Sequence, residues 1–261
     1  MTTHKNVTPV PAATVLLCRD SERGLEVFMV VRHHEIDFAT GALVFPGGKT
    51  AKRDTEKGVR ERCQGVDGLS DETLALQVAS IREAFEECGV LLACQRGADQ
   101  LIAGADVLKL DHYREPLSKD DIGILEMLEK ENLVLACNQL NHFSHWITPQ
   151  GLPKRFDTHF YIVKAPADHL AVHDGGELVD SVWITVDEAM KGAESGKYTV
   201  MVPTKFNLLK LGQSDTVEHV IAAVNSETTV TIEPVRVTDD EGMFVTIPEN
   251  AGYPVTREKI G

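Results

Sequence analysis

The sequence has no long apolar run and no excess of basic residues. No stretch of about 18 apolar residues occurs, so we expect no membrane span. Asp and Glu number 40 against 26 for Lys and Arg, giving a formal net charge of −14. Non-specific binding to nucleic acid or to an anionic membrane needs clustered cations. The charge therefore argues against both kinds of partner, although a local basic pocket for phosphates stays open.

Cysteine motifs and repeats are also absent. The five cysteines are odd in number and none forms a Cys-x-x-Cys pair, which indicates reduced thiols rather than zinc ligands or a disulfide framework. No apolar run follows the first Lys, so we expect no signal peptide and a cytoplasmic location. We find no internal repeat or low-complexity segment. A hydrophobic content of 43% is ample for one core, and we treat residues 1–261 as a single domain.

The most informative stretch is residues 80–93, SIREAFEECGVLLA. Spacings of three and four place side chains on one face of a helix, so Glu83, Glu86 and Glu87 should converge on one patch. Ile81 and Phe85 lie on a different, apolar stripe. The stripe predicts a helix from residue 71 to about residue 88, with Ser70 as its N-cap and Gly89 as its end.

Three neighbouring carboxylates repel one another unless a cation neutralises them. Oxygen ligands select hard cations such as Mg²⁺, Mn²⁺ or Ca²⁺. The pattern therefore indicates a divalent metal site at Glu83, Glu86 and Glu87, with Arg82 as a fixed positive charge beside it. A solvated acidic helix face without metal is the alternative.

Residues 43–49 read LVFPGGK, an apolar run ending in Pro-Gly-Gly, which predicts a strand followed by a tight turn. Together with REAFEECGV at residues 82–90, this turn resembles the Nudix box, the signature of hydrolases that cleave a nucleoside diphosphate linked to another moiety. The family pattern is Gly, five residues, Glu, seven residues, then Arg-Glu-apolar-x-Glu-Glu-x-Gly-apolar. Every fixed position of its second half is matched, with Ala84 at the apolar site.

The first half of the box departs from the family pattern. The family places its Arg fourteen positions after the Gly, whereas Gly48 and Arg82 lie 34 positions apart, so about 20 residues are inserted. Six positions after Gly48 stands Asp54 instead of the expected Glu. The box's first acid is therefore either replaced by Asp54 or absent. We expect residues 49–70 to form a surface loop with little structure of its own.

The remaining pattern predicts a mixed α/β chain. A hairpin of strands is expected at residues 12–18 and 25–32, and further strands at 143–149, 154–163 and 178–186. Residues 97–138 carry apolar helical patterns and are interpreted as a small inserted helical lobe, with an amphipathic helix starting near Ser118. A short helix capped by Asp187, helices from Pro203 and from Thr216, and a hairpin at 229–237 and 243–248 follow, so that residues 225–261 form a C-terminal extension.

This order is similar to the Nudix fold, and the resemblance implies an α/β/α sandwich with a mixed sheet. The stretches at residues 12–17, 38–49 and 146–149 resemble further the coenzyme A diphosphatase-like branch, of the nucleoside-diphosphate-linked moiety X motif 19 type. The resemblance implies a metal-dependent hydrolase, using Mg²⁺ or Mn²⁺, that acts on a small-molecule nucleoside diphosphate derivative such as coenzyme A or acyl-coenzyme A. A homodimer stays open.

The resemblance also implies roles for single residues. Arg82 orients a box glutamate, Glu83, Glu86 and Glu87 bind the metal, and a backbone carbonyl at Gly48 can reach the metal. The general base varies in the family, and Glu177, after a Gly-Gly pair, is the candidate outside the box, with Asp174 and Asp180 as alternatives. Contacts to the substrate are expected from the turn glycines and from cations near the box in chain order: Arg32, Gly47, Gly48, Lys49, Lys154 and Arg155.

Two other functions remain open from the sequence. One is a pyrophosphatase for ADP-ribose or for another nucleotide sugar or dinucleotide. The other is a catalytically weak Nudix-fold module that binds a nucleotide without turnover. The displaced first acid of the box favours this alternative, whereas the intact set of Glu83, Glu86 and Glu87 argues against it. Neither the substrate nor the oligomeric state follows from the residues.

Overall fold

The computed structural model describes residues 7–32, 42–169 and 178–260. Short 3₁₀ helices at Lys52–Thr55 and Arg60–Arg62 precede the first α-helix. In chain order the strands and helices are β1 (Val10–Ser21), β2 (Gly24–Arg32), β3 (Leu43–Val44), β4 (Gly47–Lys49), α1 (Asp71–Cys88), β5 (Ala93–Gln95), α2 (Gly104–Val107), α3 (Arg114–Ser118), α4 (Ile124–Lys130), β6 (Leu133–Leu135), β7 (Asn141–Ile147), β8 (Phe156–Lys164), β9 (Leu178–Thr185), α5 (Val186–Glu194), α6 (Val202–Leu211), α7 (Val217–Ser226), β10 (Thr231–Ile232), β11 (Val235–Asp239), β12 (Gly242–Thr246) and β13 (Arg257–Lys259).

Within the described residues, the central sheet has eight strands and mixed direction. Its main order is β10-β7-β8-β1-β2-β3, while β4 pairs with β1 and β9 pairs with β2. The pairs β1–β8 and β7–β10 are parallel, and the other pairs of this sheet are antiparallel. The predicted hairpin of β1 and β2 is confirmed, with Ser21 opposite Gly24.

The two faces of the sheet carry two separate cores. Side chains alternate along a strand, so Val15 and Leu17 of β1 pack on the α1 side, whereas Leu16 and Cys18 pack on the side of α6 and α7. All four side chains are fully buried. Helices therefore cover both faces, and the predicted α/β/α sandwich with a mixed sheet is confirmed.

Helix α1 begins and ends where the sequence predicts. The Ser70 hydroxyl accepts a hydrogen bond from the backbone N–H of Thr73 at 3.1 Å, which satisfies one of the free donors of the first turn. At the other end Gly89 has φ 67°, the left-handed conformation that favours glycine. Ile81 and Phe85 are fully buried against the sheet, so Glu83 and Glu87 lie on the opposite face of the helix.

The prediction that residues 49–70 are a structureless surface loop is wrong. Val59 and Val66 are 1% and 7% exposed and belong to the same core as α1. Asp54 is completely buried, and the backbone N–H of Gln64 donates to the carbonyl of Leu135 at 2.8 Å. Periodicity could not predict this burial, because each 3₁₀ helix is one turn long and the apolar residues stand singly among many charged ones.

Residues 97–138 contain α2, α3 and α4, and also β6, which the sequence analysis did not predict. Strand β6 pairs antiparallel with β5, and α4 begins at Ile124 rather than near Ser118. Leu125 and Leu128 are buried in the α1-side core. The segment thus packs on the main core on that face, and its description as an inserted helical lobe remains a prediction.

Two local predictions near the C-terminus also need correction. Thr185, not Asp187, caps α5, because its hydroxyl accepts from the N–H of Glu188. The hairpin is formed by β11 and β12, but Thr231 and Ile232 pair instead with β7. Across the described residues, no helix is long and apolar enough to cross a membrane.

Candidate active site

The last turns of α1 pack against β4, the strand that carries the two glycines of the turn. The backbone N–H of Gly47 donates to Glu87 Oε2 at 2.9 Å. A Cβ atom added at Gly48 would lie 2.4 Å from Oε1 of Glu83, closer than any real side-chain contact. Glycine at position 48 therefore allows the backbone of β4 to approach the Glu83 carboxylate.

Arg82 connects the carboxylates of the patch. Its Nη1 atom donates to Oε1 of Glu83 and to Oε1 of Glu86, both at 2.9 Å. Its Nη2 atom donates to the backbone carbonyl of Lys49 at 2.9 Å. One guanidinium group thus fixes two of the three glutamates relative to the strand that follows the glycine turn.

Asp54 is the main partner of Arg82. Arg82 Nε donates to Oδ1 of Asp54 at 2.8 Å and Nη2 donates to Oδ2 at 3.1 Å, a bidentate pair between two buried side chains. The N–H of Ala51 also donates to Oδ2 of Asp54, at 2.7 Å. This contact fits the interpretation that Asp54 stands in for the first acid of the box.

Burial and charge shape the electrostatics of the patch. Burial raises the pKa of Glu86 to about 7, despite the opposing charge of Arg82. Burial alone would lower the pKa of Arg82, but its hydrogen bond to Asp54 and the charges of Glu83, Asp54 and Glu86 outweigh burial and raise it. An ionised Glu86 thus carries a desolvation cost that a nearby cation would offset. A patch of carboxylate oxygens fits a hard divalent cation rather than a soft one.

Arg114 is a positioning residue that the sequence analysis missed. It lies at the start of α3 and donates from Nε to the carbonyl of Glu86 at 3.0 Å and from Nη2 to the carbonyl of Glu87 at 3.1 Å. These carbonyls belong to the last turn of α1, whose acceptors have no partner within the helix. No signal in the sequence links Arg114 to the box, because it lies 27 residues after Glu87.

The predicted substrate contacts fall in different places. Lys49 is exposed at the end of β4, beside the glycine turn. Lys154 is exposed just before β8. Arg155 is buried and donates to the carbonyls of Thr148 and Val7 and to the Glu233 carboxylate. These contacts hold each of its three nitrogens against another group of the protein and do not support a phosphate-binding role.

Several candidates lie beyond what the structure describes. Glu177 and Asp174 lie outside the described residues, and Arg32 ends β2 with a side chain that is also outside them. Asp180 is exposed on β9, where its Oδ1 accepts from the N–H of Ser181. The geometry thus assembles Arg82, the three glutamates and the glycine turn.

Comparison with known proteins points to one family. The family described as the NUDT19 Nudix domain matches residues 59–211. The crystal structure of a Nudix hydrolase from Alicyclobacillus acidocaldarius superposes with a TM-score of 0.66 at 26% sequence identity, covering 83% of this chain and 96% of that one. Nudix hydrolases in general require divalent metal ions, in agreement with the donor set of the patch.

Two curated relatives carry hydrolase names. A Caenorhabditis elegans protein named as nudix hydrolase 7 is 27% identical over 202 residues, which is 77% of this chain and 60% of the relative. The acyl-coenzyme A diphosphatase NUDT19 of Xenopus laevis is 23% identical over an alignment of 278 positions, gaps included, which covers 90% of this chain and 73% of the relative. The chain thus spans between three fifths and three quarters of the length of these two relatives.

Proposed function

The chain belongs to the NUDT19 Nudix domain family, and from this membership we propose that it is a metal-dependent hydrolase that cleaves the diphosphate linkage of coenzyme A or an acyl-coenzyme A. The products are 3′,5′-ADP and a phosphopantetheine or its acyl derivative, and one water molecule is consumed. The observation that carries the proposal is the arrangement of Glu83, Glu86 and Glu87 around Arg82, with the Gly47–Gly48 turn packed against their carboxylates.

Glu83, Glu86 and Glu87 hold the divalent cation in this proposal, with the backbone carbonyl of Gly48 as a further oxygen donor. Mg²⁺ is the preferred ion and Mn²⁺ the alternative, since both take hard oxygen ligands. When bound, the cation supplies charge neutralisation for the diphosphate oxygens and activation of a water. Arg82 keeps the Glu83 and Glu86 carboxylates in fixed positions through its shared Nη1 contacts.

The proton of the attacking water needs an acceptor. Glu177 remains our proposed general base on the sequence argument that a carboxylate after two conformationally permissive glycines suits this role. Asp174 and Asp180 remain the alternatives. A Glu177→Gln variant should lose turnover and keep metal affinity, whereas the loss of both would place Glu177 among the ligands.

Coenzyme A is proposed because the family match and the Xenopus laevis relative both carry the NUDT19 description, and that relative is named an acyl-coenzyme A diphosphatase. Within this chain, the exposed ammonium of Lys49 follows the glycine turn and is available to a substrate phosphate. Leu125 and Leu128 of the inserted segment do not offer an apolar surface to the pantetheine arm, because both side chains are buried in the core.

The test is a comparison of kcat/KM for coenzyme A, acetyl-coenzyme A, ADP-ribose and NADH at one Mg²⁺ concentration. The release of 3′,5′-ADP from coenzyme A identifies the scissile bond. We expect the coenzyme A substrates to be preferred. A preference of about tenfold or more for ADP-ribose, which corresponds to about 1.4 kcal/mol in transition-state binding, would refute the coenzyme A assignment and leave the hydrolase assignment intact.

Glu87→Gln should lower the turnover of every substrate in the panel by about 10²-fold or more, and Glu72→Gln serves as its matched control. Glu72 lies in the exposed first turn of the same helix, far from the patch. Substrate binding without turnover by the wild-type protein, at any of the metal ions tested, would favour the binding-module alternative instead.

A further inference from the structure

A second polar cluster lies on β7 and β8, away from the glutamates. It consists of His142, His145, Asp157 and His159. Along β8, residues 157, 159 and 161 share one face because side chains alternate, and Tyr161 packs in the α1-side core. The cluster is thus on the sheet face that α1 covers. The proposed hydrolysis does not use any of these residues.

The ring of His145 has partners on both nitrogens. Its Nε2 atom contacts Oδ1 of Asp157 within hydrogen-bond distance, and its Nδ1 atom lies 2.9 Å from the Thr231 hydroxyl. Thr231 is on β10, the strand that pairs with β7. An ion bound between the two residues would replace the proton that Nε2 shares with Asp157, and the Nδ1–H group would then donate to Thr231.

His159 repeats the same arrangement from the neighbouring strand. Its Nδ1 atom lies 3.0 Å from Nε2 of His142, while its Nε2 atom lies 3.9 Å from Oδ1 of Asp157. The His145 and His159 rings stack with centroids 3.9 Å apart and an angle of 20° between their planes. Both rings therefore present Nε2 to one carboxylate and have Nδ1 held by another side chain.

From this geometry we propose that His145, Asp157 and His159 bind one transition-metal dication, with Zn²⁺ as the reference ion, at a site separate from the glutamates. The donor atoms of the three residues lie within 4.8 Å of one another. Two imidazoles and a carboxylate form a known type of three-ligand zinc set that leaves a fourth position open.

The contacts on the Nδ1 atoms distinguish this cluster from a chance meeting of surface histidines. Metal-ligating histidines almost always donate their other N–H to a fixed acceptor, which sets the tautomer and the ring orientation. The Thr231 hydroxyl is placed to accept from an Nδ1–H of His145, and Nε2 of His142 is placed to accept from an Nδ1–H of His159. The side chains of His145, His159 and Asp157 are 16%, 22% and 36% exposed, so the ligands are oriented and an ion can still enter.

The two sites differ in the ions they select. Imidazole nitrogen suits Zn²⁺ and its neighbours in the transition series, whereas the carboxylates on α1 suit Mg²⁺ or Mn²⁺. The sheet also connects the two sites. Across β7, β8, β1 and β4, the consecutive Cα partners are His145, His159, Ala13 and Gly48. Two strand spacings, on the order of 10 Å, separate His159 from Gly48.

The first test uses the wild-type protein and does not depend on any variant folding. Zn²⁺ is titrated in the presence of excess Mg²⁺, and the ¹⁵N resonances of the histidine side chains are followed. We expect one equivalent to bind and two Nε2 resonances to shift, both from rings protonated on Nδ1. The absence of binding, or the absence of shifts on two histidines, would overturn the proposal.

The second test assigns the site. His145→Gln, Asp157→Asn and His159→Gln should each weaken Zn²⁺ binding by at least about tenfold, and Thr231→Val should weaken it as well, since even outer partners are worth about 10- to 100-fold. His219→Gln, an exposed histidine on α7, is the matched control and should bind as the wild type does. Binding that survives the His145→Gln/His159→Gln double variant, or that is lost in Glu86→Gln, would refute the site.

Discussion

Arg82 and Asp54 form a bidentate ion pair between two side chains that are 9% and 0% exposed. The pair joins α1 to the 3₁₀ helix that follows the glycine turn. The extra residues between Gly48 and Arg82 lie after Asp54 and before α1. The inserted stretch can therefore be long without displacing the acid that Arg82 needs.

The first prediction concerns this pair. Asp54→Ala should lower the free energy of unfolding by about 3 kcal/mol, because removing one partner of a buried pair leaves an uncompensated charge. Turnover should fall as well, since Arg82 also positions Glu83 and Glu86. Chemical denaturation and kcat measure the two effects.

Asp71→Ala is the control for that substitution. Asp71 also pairs with an arginine of the same stretch, Arg60, at 2.8 Å, but its side chain is 91% exposed. Exposed pairs contribute about 0–1 kcal/mol, so this variant should remain close to the wild type. Equal losses of unfolding free energy in the two variants would show that the buried Arg82–Asp54 pair stabilises the fold no more than an exposed pair does.

The second prediction separates stability from metal binding at the glycine turn. A methyl group at Gly48 would overlap the Glu83 carboxylate, which is the far end of a flexible side chain and can move away if it gives up its hydrogen bond from Arg82. Gly48→Ala should therefore lower the unfolding free energy by only about 1 kcal/mol and weaken Mn²⁺ binding by about 10- to 100-fold, as the loss of a supporting contact does.

Gly123→Ala provides the comparison. Gly123 also has an ordinary backbone conformation, and its added Cβ would meet only side-chain atoms of Glu56 and Arg53, at 3.1 Å or more. Titration calorimetry with Mn²⁺ should leave this variant unaffected. Wild-type metal affinity in Gly48→Ala would mean that Glu83 is not a ligand.

Local signals were sufficient to predict α1. Its apolar stripe, the Ser70 hydroxyl and the Gly89 end all act within a few residues of one another, so the sequence contains the whole argument for its bounds. The hairpin of β1 and β2 is predictable for the same reason. The convergence of Glu83, Glu86 and Glu87 on one face follows from helical spacing once the helix is established.

Contacts between distant segments were not predictable in this way. Arg114 reaches the end of α1 only because α3 packs there, and neither residue signals the other. The row from His145 to Gly48 depends on the register of four strands, and a shift by one residue would turn these side chains to the other face. Val59 and Val66 are single apolar residues whose burial no periodicity reveals.

The third prediction follows from that correction of the inserted stretch. Val59→Ala should destabilise the protein by about 2 kcal/mol, because a buried side chain loses its contacts and leaves a cavity. Val255→Ala is the matched control, since Val255 is 39% exposed and exposed substitutions usually stay within about 0.5 kcal/mol. Equal unfolding midpoints for the two variants would restore the prediction of an independent surface loop.

The last prediction tests the glutamate patch itself. Glu86→Gln and Glu87→Gln should each lower kcat by about 10²-fold or more, as the loss of a charge-stabilising group in a preorganised site does. The fold should persist in both. At position 86 a Gln oxygen can still accept from Arg82 Nη1, while Asp54 and Glu83 continue to bind the guanidinium. At position 87 a Gln oxygen can still accept from Gly47. Removing a negative charge from a crowded patch also relieves repulsion, so the melting temperature should hold or rise slightly.

Steady-state kinetics with coenzyme A at saturating Mg²⁺, with Glu72→Gln as the control, measures the effect of both substitutions on kcat. Wild-type rates in both variants would end the catalytic interpretation of the box helix, whereas a loss of rate together with an intact melting transition supports it.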